Sequence, residues 1–342
     1  MSKLSIVTPV FNSMRTLQEY IQAIQNQKLD GWQLELIFAD GGSTDGTLQK
    51  LSEYQQSPNF EIKVCTNPLR TAEAGKAVGV RQATGEIICL LDSDNIIPDG
   101  DWIMRMLQPF QEEDIIASEP IEYTYRLKDS VINRYCALIG MNDPLCMFTG
   151  NYDRYCYITK KWTEVERDEQ DRGDYIAVRF RENMIPTIGA NGFFIRKQQL
   201  LDNFEGEYLF DIDVLWELFK KNSEIRVAKV KTGIVHLFCP DIRTFYRKQN
   251  RRIKDFLYFS DKKGRKYPWN KIEKQKIVWF TFCCVTVVPL LVQAFVGQAR
   301  KADWRAWAFH PVACWVTLWV YGWGVVQGVF KREAASRDGW KQ

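Results

Sequence analysis

The sequence is poor in histidine, in charge of one sign and in paired cysteine. It has two histidines, His236 and His310, which excludes a multi-histidine metal centre. A formal net charge of +4 over 342 residues lacks the basic bias of a duplex-binding domain, so no nucleic-acid partner is expected. The nine cysteines show no paired metal-ligand spacing, and Cys283 and Cys284 are neighbours inside an apolar run. They read as reduced thiols in a cytosolic or membrane setting. Repeats and low-complexity linkers are absent. No leader precedes the first strand-like run, since after Met1-Ser2-Lys3 the chain passes straight into residues 4–10. The N-terminal domain is therefore expected to stay on the side of the membrane where it is made.

Aromatic residues are plentiful, with 12 Trp and 20 Phe, and they gather late in the chain. Residues 277–299 and 306–330 contain no Asp, Glu, Lys or Arg. As helices, each is long enough to span a hydrocarbon core of roughly 30 Å. Two buried core helices are the bland alternative, but the Trp residues at the ends favour spans. Residues 243–276 hold 13 Lys or Arg against three acids, and the tail, 331–342, carries Lys331, Arg332, Arg337 and Lys341. The linker 300–305 also carries three basic residues, which weakens the asymmetry without reversing it. The positive-inside bias then predicts a two-helix hairpin in the cell membrane, with the N-terminal domain and the tail both in the cytoplasm.

Upstream, strand and helix patterns alternate. Residues 4–10, 34–40, 62–66 and 86–91 read as buried strands, and 16–27 and 72–83 as helices. Gly41-Gly42-Ser43 is a turn, and Ser43 or Thr44 is placed to cap the helix that follows. This order predicts an α/β fold with a mostly parallel sheet and helices on both faces. In such sheets ligands sit beyond the carboxyl ends of the strands, so Asp40 and Asp92 are expected to point into one crevice. Residues 121–186 show no clear period and read as an excursion that shapes a second substrate site. The charges in 164–174 read as a solvated loop. Residues 187–196 return as a strand around Gly189, Asn191 and Gly192.

Asp92-Ser93-Asp94 follows an apolar strand directly. Two carboxylates one residue apart in a turn can share a hard divalent cation, Mn²⁺ or Mg²⁺, which keeps positions open for phosphate oxygens. The glycines after Asp40 allow close backbone approach, and Asp40 can accept hydrogen bonds from a base or ribose. Taken singly, either element can be an ordinary acidic turn.

Four segments together are more specific: Thr8-Pro9-Val10-Phe11-Asn12, Ala39-Asp40-Gly41-Gly42-Ser43-Thr44-Asp45-Gly46-Thr47, Gly75-Lys76-Ala77 through Ala83-Thr84-Gly85, and Leu91-Asp92-Ser93-Asp94. In order and spacing they resemble the family 2 glycosyltransferases of the GT-A fold, over roughly residues 4–255. The resemblance implies that Pro9, Val10, Phe11, Asn12, Asp40 and Gly41 hold the nucleotide of a nucleotide-sugar. Gly75 and Lys76 would line the same pocket, as would Asn191 and Gly192. Asp92, Ser93 and Asp94 would hold metal and diphosphate. Phe210-Asp211-Ile212-Asp213 resembles the family's Glu-Asp-x-Asp segment with Phe replacing Glu, so Asp211 takes the place of the catalytic base and Asp213 is the second choice. A sugar hydroxyl needs such a carboxylate to accept its proton. The other reading of these acids is stabilisation of a helix N-terminus. His236 is placed to complete the metal site, although an isolated histidine is usually structural. Gln249-Asn250-Arg251-Arg252-Ile253 resembles the Gln-x-x-Arg-Trp motif of processive synthases with Ile253 in place of Trp, which argues against a polysaccharide-extruding enzyme. Arg247, Gln249, Arg251 and Arg252 remain candidates for diphosphate or acceptor, or for anionic headgroups.

The domain organisation expected is a catalytic domain at 1–242, with a nucleotide-sugar half at 1–120 and an acceptor half at 121–242. A basic juxtamembrane segment at 243–276 leads to the two spans and the tail. The acceptor is expected to be lipid-linked, either a sugar on a lipid diphosphate or a polyprenyl phosphate. A nucleotidyltransferase would open with a Gly-rich basic loop, which Pro9-Val10-Phe11-Asn12 is not. An inactive membrane scaffold has no chemical need for Asp92, Asp94 and Asp211 together.

Overall fold

The computed structural model describes residues 2–55, 57–180, 185–189, 191–222, 224–261, 266–267 and 273–330. The tail at 331–342 and two pieces of the basic stretch, 262–265 and 268–272, lie outside the described residues. The chain forms two compact units, residues 1–124 with 165–237, and residues 125–164 with 238–342. The division does not fall at 242. Most of the excursion, 125–164, clusters with the C-terminal helices, because its apolar side chains share a core with them.

The first unit is a mixed sheet. In chain order it contains β1 (Lys3–Val10), α1 (Met14–Gln25), β2 (Gln33–Asp40), α2 (Thr47–Glu53), β3 (Glu61–Thr66), α3 (Ala72–Gln82), β4 (Ile87–Leu91), β5 (Asn95–Ile96), α4 (Trp102–Leu107) and β6 (Ile115–Tyr123). The strands run β3-β2-β1-β4-β9-β6-β10-β8-β7, where β7 is Arg167–Asp171, β8 Tyr175–Phe180, β9 Asn191–Arg196 and β10 Arg226–His236. The β3-β2-β1-β4 block is parallel, as is the β6–β10 pair. The returning strand β9 inserts antiparallel between β4 and β6, so the parallel character breaks at the centre of the sheet.

The apolar run of β1 explains its place at the middle of the parallel block. Leu4, Ile6 and Val7 are wholly buried, as a strand covered on both faces requires. Helix α3 approaches β1 through two glycines one turn apart. A Cβ on Gly79 would lie 2.4 Å from Val7 Cγ1, and one on Gly75 would lie 2.7 Å from Pro9 Cβ. Each glycine costs the helix roughly 1 kcal/mol relative to alanine, and close backbone packing is what it gains. The charged stretch 164–174 is not a loop. Much of it is the edge strand β7, whose Asp168 and Asp171 pair with Arg179 and Lys231. Charge on an edge strand discourages pairing with another chain.

Helices α7 (Lys197–Leu201) and α8 (Asp211–Lys221) complete this unit. Neither Ser43 nor Thr44 caps α2. Its N-cap is Gly46, in a left-handed conformation, and Asp45 accepts from Thr47 N instead.

The second unit is helical. It contains α5 (Val131–Ile139), α6 (Leu145–Thr149), α9 (Ile242–Asp261), α10 (Lys274–Thr286), α11 (Val288–Arg300) and α12 (Trp304–Phe330). One helix among the described residues is long and apolar enough to cross a membrane, Trp304–Gln327. The other expected span, 277–299, is not a straight helix. It is divided between α10 and α11, which meet at 90°. Pro289 accounts for the break: it has no N–H to bond back to the carbonyl four residues earlier and its ring crowds that carbonyl, whereas the first turn of a new helix tolerates it. The break falls at Val287, whose φ of 61° is in the left-handed region.

Candidate active site

The carboxyl ends of the parallel strands gather most of the expected site residues in the first unit. Val10 O accepts from Gly41 N at 2.9 Å, which ties the ends of β1 and β2 together. Asp40 is buried, and its carboxylate accepts from Gly42 N at 2.9 Å and Ser43 N at 3.1 Å. Gly42 has a φ of 89°, so this turn favours glycine. Asn12 sits in the left-handed region and is stapled to the same turn. Its N–H donates to Ser43 Oγ, and its Oδ1 accepts from Thr44 N, both at 2.9 Å. The Phe11 ring lies close to Gly41, where an added Cβ would be 3.3 Å from Phe11 Cδ2. The Asp40 and Asn12 side chains thus build the shape of the turn. Gly75 packs against Pro9, a bordering contact within the helix–strand interface.

Asp92-Ser93-Asp94 forms the turn directly after β4. Asn95 N closes it on Asp92 O at 3.0 Å, and Ser93 Oγ lies 3.0 Å from Ser13 Oγ. Leu237 N donates to Asp94 O at 2.8 Å, which brings the end of β10 alongside. His236 Nε2 is then 3.6 Å from Asp94 Oδ1, across 142 positions of sequence. Asp92 Oδ1 is buried and has no hydrogen-bond partner. Burial pushes the Asp92 carboxyl up to about 6; Lys76 and His236 oppose the rise, while Asp94 and Asp211 add to it. A buried carboxylate oxygen without a proton donor is a poor arrangement by itself and a suitable one for a cation. Among the described residues no group of three or more His, Cys, Asp or Glu side chains is placed to hold a metal ion together, so the protein's own donors here are the Asp92 and Asp94 carboxylates. The donor set fits a hard divalent ion that is open on one side.

Asp211 opens α8, and with Asp213 it places two acids in the first turn of that helix. Its Oδ2 lies 3.0 Å from Lys76 Nζ, and both side chains are almost fully buried. Burial alone would lower the Lys76 pKa, but Asp211 and Asp92 outweigh it and the ammonium is held above its ordinary value. Gly189 makes room for this pair, since a Cβ there would lie 2.5 Å from Asp211 Cβ. Asp213 is buried one turn position further on. Asn191 opens β9 beside Leu91, and its Nδ2 donates to Tyr123 Oη at 2.9 Å. Gly192 faces the core: an added Cβ would be 2.9 Å from Ile234 Cδ1 and 3.0 Å from Trp102. It permits packing at the irregularity between Leu90 and Leu91.

Arg247, Gln249, Arg251 and Arg252 lie on α9, in the second unit. Gln249 is wholly buried there, with Nε2 donating to Asn142 O at 2.7 Å and Oε1 accepting from Arg252 Nη1 at 3.0 Å. Both ends of its carboxamide are thus engaged within the helical unit. Ile253 is also buried, and it meets Gly324 of α12.

A model of glycosyl transferase family 2 matches residues 5–135. Residues 5–135 thus carry a family 2 glycosyltransferase domain. The chain is 34% identical over 101 residues to the GalNAc(5)-diNAcBac-PP-undecaprenol beta-1,3-glucosyltransferase of Campylobacter jejuni, covering 29% of the chain and 32% of that relative. It is 29% identical over 112 residues to a dolichyl N-acetyl-alpha-D-glucosaminyl phosphate 3-beta-D-2,3-diacetamido-2,3-dideoxy-beta-D-glucuronosyltransferase of Methanococcus voltae, covering 32% and 35%. The matched stretch is thus about a third of each curated relative. Among solved structures, the mannosyltransferase PcManGT of Pyrobaculum calidifontis, in complex with GDP-Man and Mn²⁺, aligns with a TM-score of 0.51 at 13% identity, over 94% of this chain and 87% of that one. At that identity the likeness establishes the GT-A fold.

The glycosyltransferase site also contains residues that sequence reasoning passes over. Tyr123 stacks at a tilt on His236, with ring centroids 5.3 Å apart, and holds Asn191. Asn67 is buried at the end of β3, its N–H donating to Asp40 O at 2.7 Å, and its Oδ1 has no partner. No motif marks either residue. Only the strand ends, once paired, bring them to the crevice.

Proposed function

We propose that the protein transfers a sugar, with inversion, from a nucleotide-diphospho-sugar to a lipid-linked acceptor at the cytoplasmic face of the cell membrane. A UDP-sugar is the donor carried over from the family. The observation that supports this reading most strongly is the partnerless buried oxygen of Asp92 beside Asp94 and His236, a few residues from the end of β4. Asp92 and Asp94 would hold Mn²⁺ or Mg²⁺ with His236 alongside, and the ion when bound would supply positive charge to the diphosphate leaving group. Lys76 stands ready to add a second positive charge in the same place.

In the transfer, an acceptor oxygen forms a bond to the anomeric carbon while the bond from that carbon to the phosphate oxygen breaks. The electron pair leaves with the nucleoside diphosphate. For a sugar hydroxyl, the proton passes to Asp211. The Lys76–Asp211 contact brings in a second acceptor class, because a carboxylate held by an ammonium is a weak base. A polyprenyl phosphate is already ionised and needs no base. Both relatives cited above are named for lipid-linked substrates, one an undecaprenyl diphosphate and the other a dolichyl phosphate.

The test is incubation of the purified protein with a panel of radiolabelled nucleotide-sugars and membrane lipid extract, with Mn²⁺, with Mg²⁺ and with EDTA. Label is expected in the lipid phase with one donor, lost in EDTA and restored by added metal. Absence of any metal-dependent label across the panel would sink the reading.

A further inference from the structure

Helices α10, α11 and α12 carry most of the large exposed apolar side chains of the molecule, among them Phe282, Val285, Val288, Phe295, Trp319 and Trp323. We propose that these helices enter one leaflet of the bilayer only, as a re-entrant wedge and a surface helix, and that the described chain does not cross the membrane.

Both ends of the bent pair return to one polar segment. Lys276, near the start of α10, donates to Thr149 O at 3.1 Å. Arg300, the last residue of α11, donates to Tyr157 O at 2.9 Å and also to Ile158 O. The start of α12 is tied to the same stretch, since Asp303 accepts from Tyr125 Oη at 2.8 Å and pairs with Arg134 at 3.2 Å. So is a point well along it, where Tyr321 donates to Asp143 Oδ2 at 2.5 Å and lies 3.0 Å from Gln249 Oε1, before the helix runs on to Phe330. A helix that crossed the bilayer would carry one of these points to the opposite face. Arg134, Asp143 and Arg252 would then be drawn along it into hydrocarbon, which charged groups resist.

The dimensions agree with one leaflet. Each arm of the bent pair has 13 residues, about 20 Å of helix. Two such arms at 90° reach about 14 Å below the line joining their ends, close to half of a core of roughly 30 Å. The elbow keeps its backbone satisfied, as lipid demands: Val287 N donates to Cys283 O at 2.9 Å and Leu291 N to Val287 O at 3.1 Å. Thr281 and Thr286 turn their hydroxyls back onto carbonyls one turn earlier in α10. Lys274 and Lys276 at one mouth, and Arg300 and Lys301 at the other, suit anionic headgroups. On α12 the buried residues Trp307, His310, Cys314 and Thr317 share one face, while Trp315, Trp319 and Trp323 recur on the exposed face. One face of α12 is thus covered by its own unit and the other presents aromatic side chains, which suit an apolar surrounding and the level of the headgroups.

The experiment uses the full chain in sealed membrane vesicles of known orientation. Epitope tags are placed at both termini, and the single variants Ala302→Cys and Val288→Cys are read with a membrane-impermeant maleimide against the wild-type background. Both tags and the thiol introduced at position 302 are expected on one face, and the thiol at position 288 is expected to react from neither. Labelling of position 302 from the opposite face would establish a hairpin, and a C-terminal tag alone on the opposite face would establish a single crossing. Free reaction at position 288, or recovery of the untreated protein in the soluble fraction, would show no insertion. Each of those four results overturns the proposal. The tags do not depend on Val288→Cys folding, and none of the readouts uses activity, so failure here leaves the transfer reading intact.

Discussion

Lys76 and Asp211 stand 135 positions apart in sequence and 3.0 Å apart in space. A buried ion pair gains little net stability over an apolar pair, so its presence in a crevice points to use. Two outcomes separate the acceptor classes. If a sugar hydroxyl attacks, Asp211→Asn should lower transfer on the order of 10²–10⁴-fold, the range for a positioned general base. Donor binding should survive in that variant, read by displacement of a labelled nucleotide. If a phosphate attacks, transfer should be nearly unchanged. Asp92→Asn should instead remove metal-dependent binding of the nucleoside diphosphate together with transfer, a loss of roughly 10²–10³-fold. Titration of Mn²⁺ followed by calorimetry checks it. At this scale the acidic triplet and Asp40 were legible from residue order alone, whereas the Lys76–Asp211 contact was not. No spacing rule joins a helix after the third strand to a helix after the ninth.

At the scale of elements, glycines mark the places where backbones meet. A Cβ on Gly324 would lie 2.9 Å from Ile253 Cγ1 and Cγ2, so α9 and α12 approach closely there. Gly324→Leu should therefore lower the stability of the helical unit by about 1–3 kcal/mol. A fall in thermal midpoint, with the far-ultraviolet spectrum unchanged at low temperature, is the expected signature. Ile253 occupies the position where the processive motif has Trp, and here it serves as packing. The strands and first helices were readable because their period is local: Leu17, Tyr20, Ile21 and Ile24 of α1 are all buried, as their spacing predicts. The bend at Val287 was not anticipated. Hydropathy averages over a window, and one proline changes direction without changing the average.

At the scale of the whole molecule, one buried carboxylate joins the sheet at the edge remote from the site. Glu35 accepts from Ser5 Oγ at 2.5 Å and Thr84 N at 2.6 Å, and it pairs with Lys63 at 2.8 Å and Lys3 at 3.0 Å. Burial by itself would raise its pKa. The hydrogen bonds from Lys63, Ser5, Thr84 and Lys3 outweigh that and hold it far below the usual carboxylate range. A folded pKa below the unfolded one means that this stabilisation is complete above the ordinary value of about 4.3 and is lost as pH falls below it. Glu35→Gln should therefore destabilise the fold by roughly 1–3 kcal/mol at neutral pH. The difference from wild type should shrink progressively as pH falls below 4, because the unfolded chain then takes up a proton at this position while folded Glu35, with its lowered pKa, stays ionised. Thermal unfolding across a pH series measures both, and transfer activity per folded molecule should not change.

By itself the sequence determined the strand–helix order, the acidic triplet at a strand end, the family 2 character of residues 5–135 and the apolar character of its late helices. Each of these is written in neighbouring residues, where periodicity and motif spacing carry the information. Tertiary structure alone decided the rest. It brought His236 to Asp94 and Lys76 to Asp211, gave Gln249 its partners within the helical unit, grouped 125–164 with the late helices and bent 277–299 at a proline. Those outcomes depend on which distant surfaces meet, and a chain's local order does not specify that until the sheet has paired and the helices have packed.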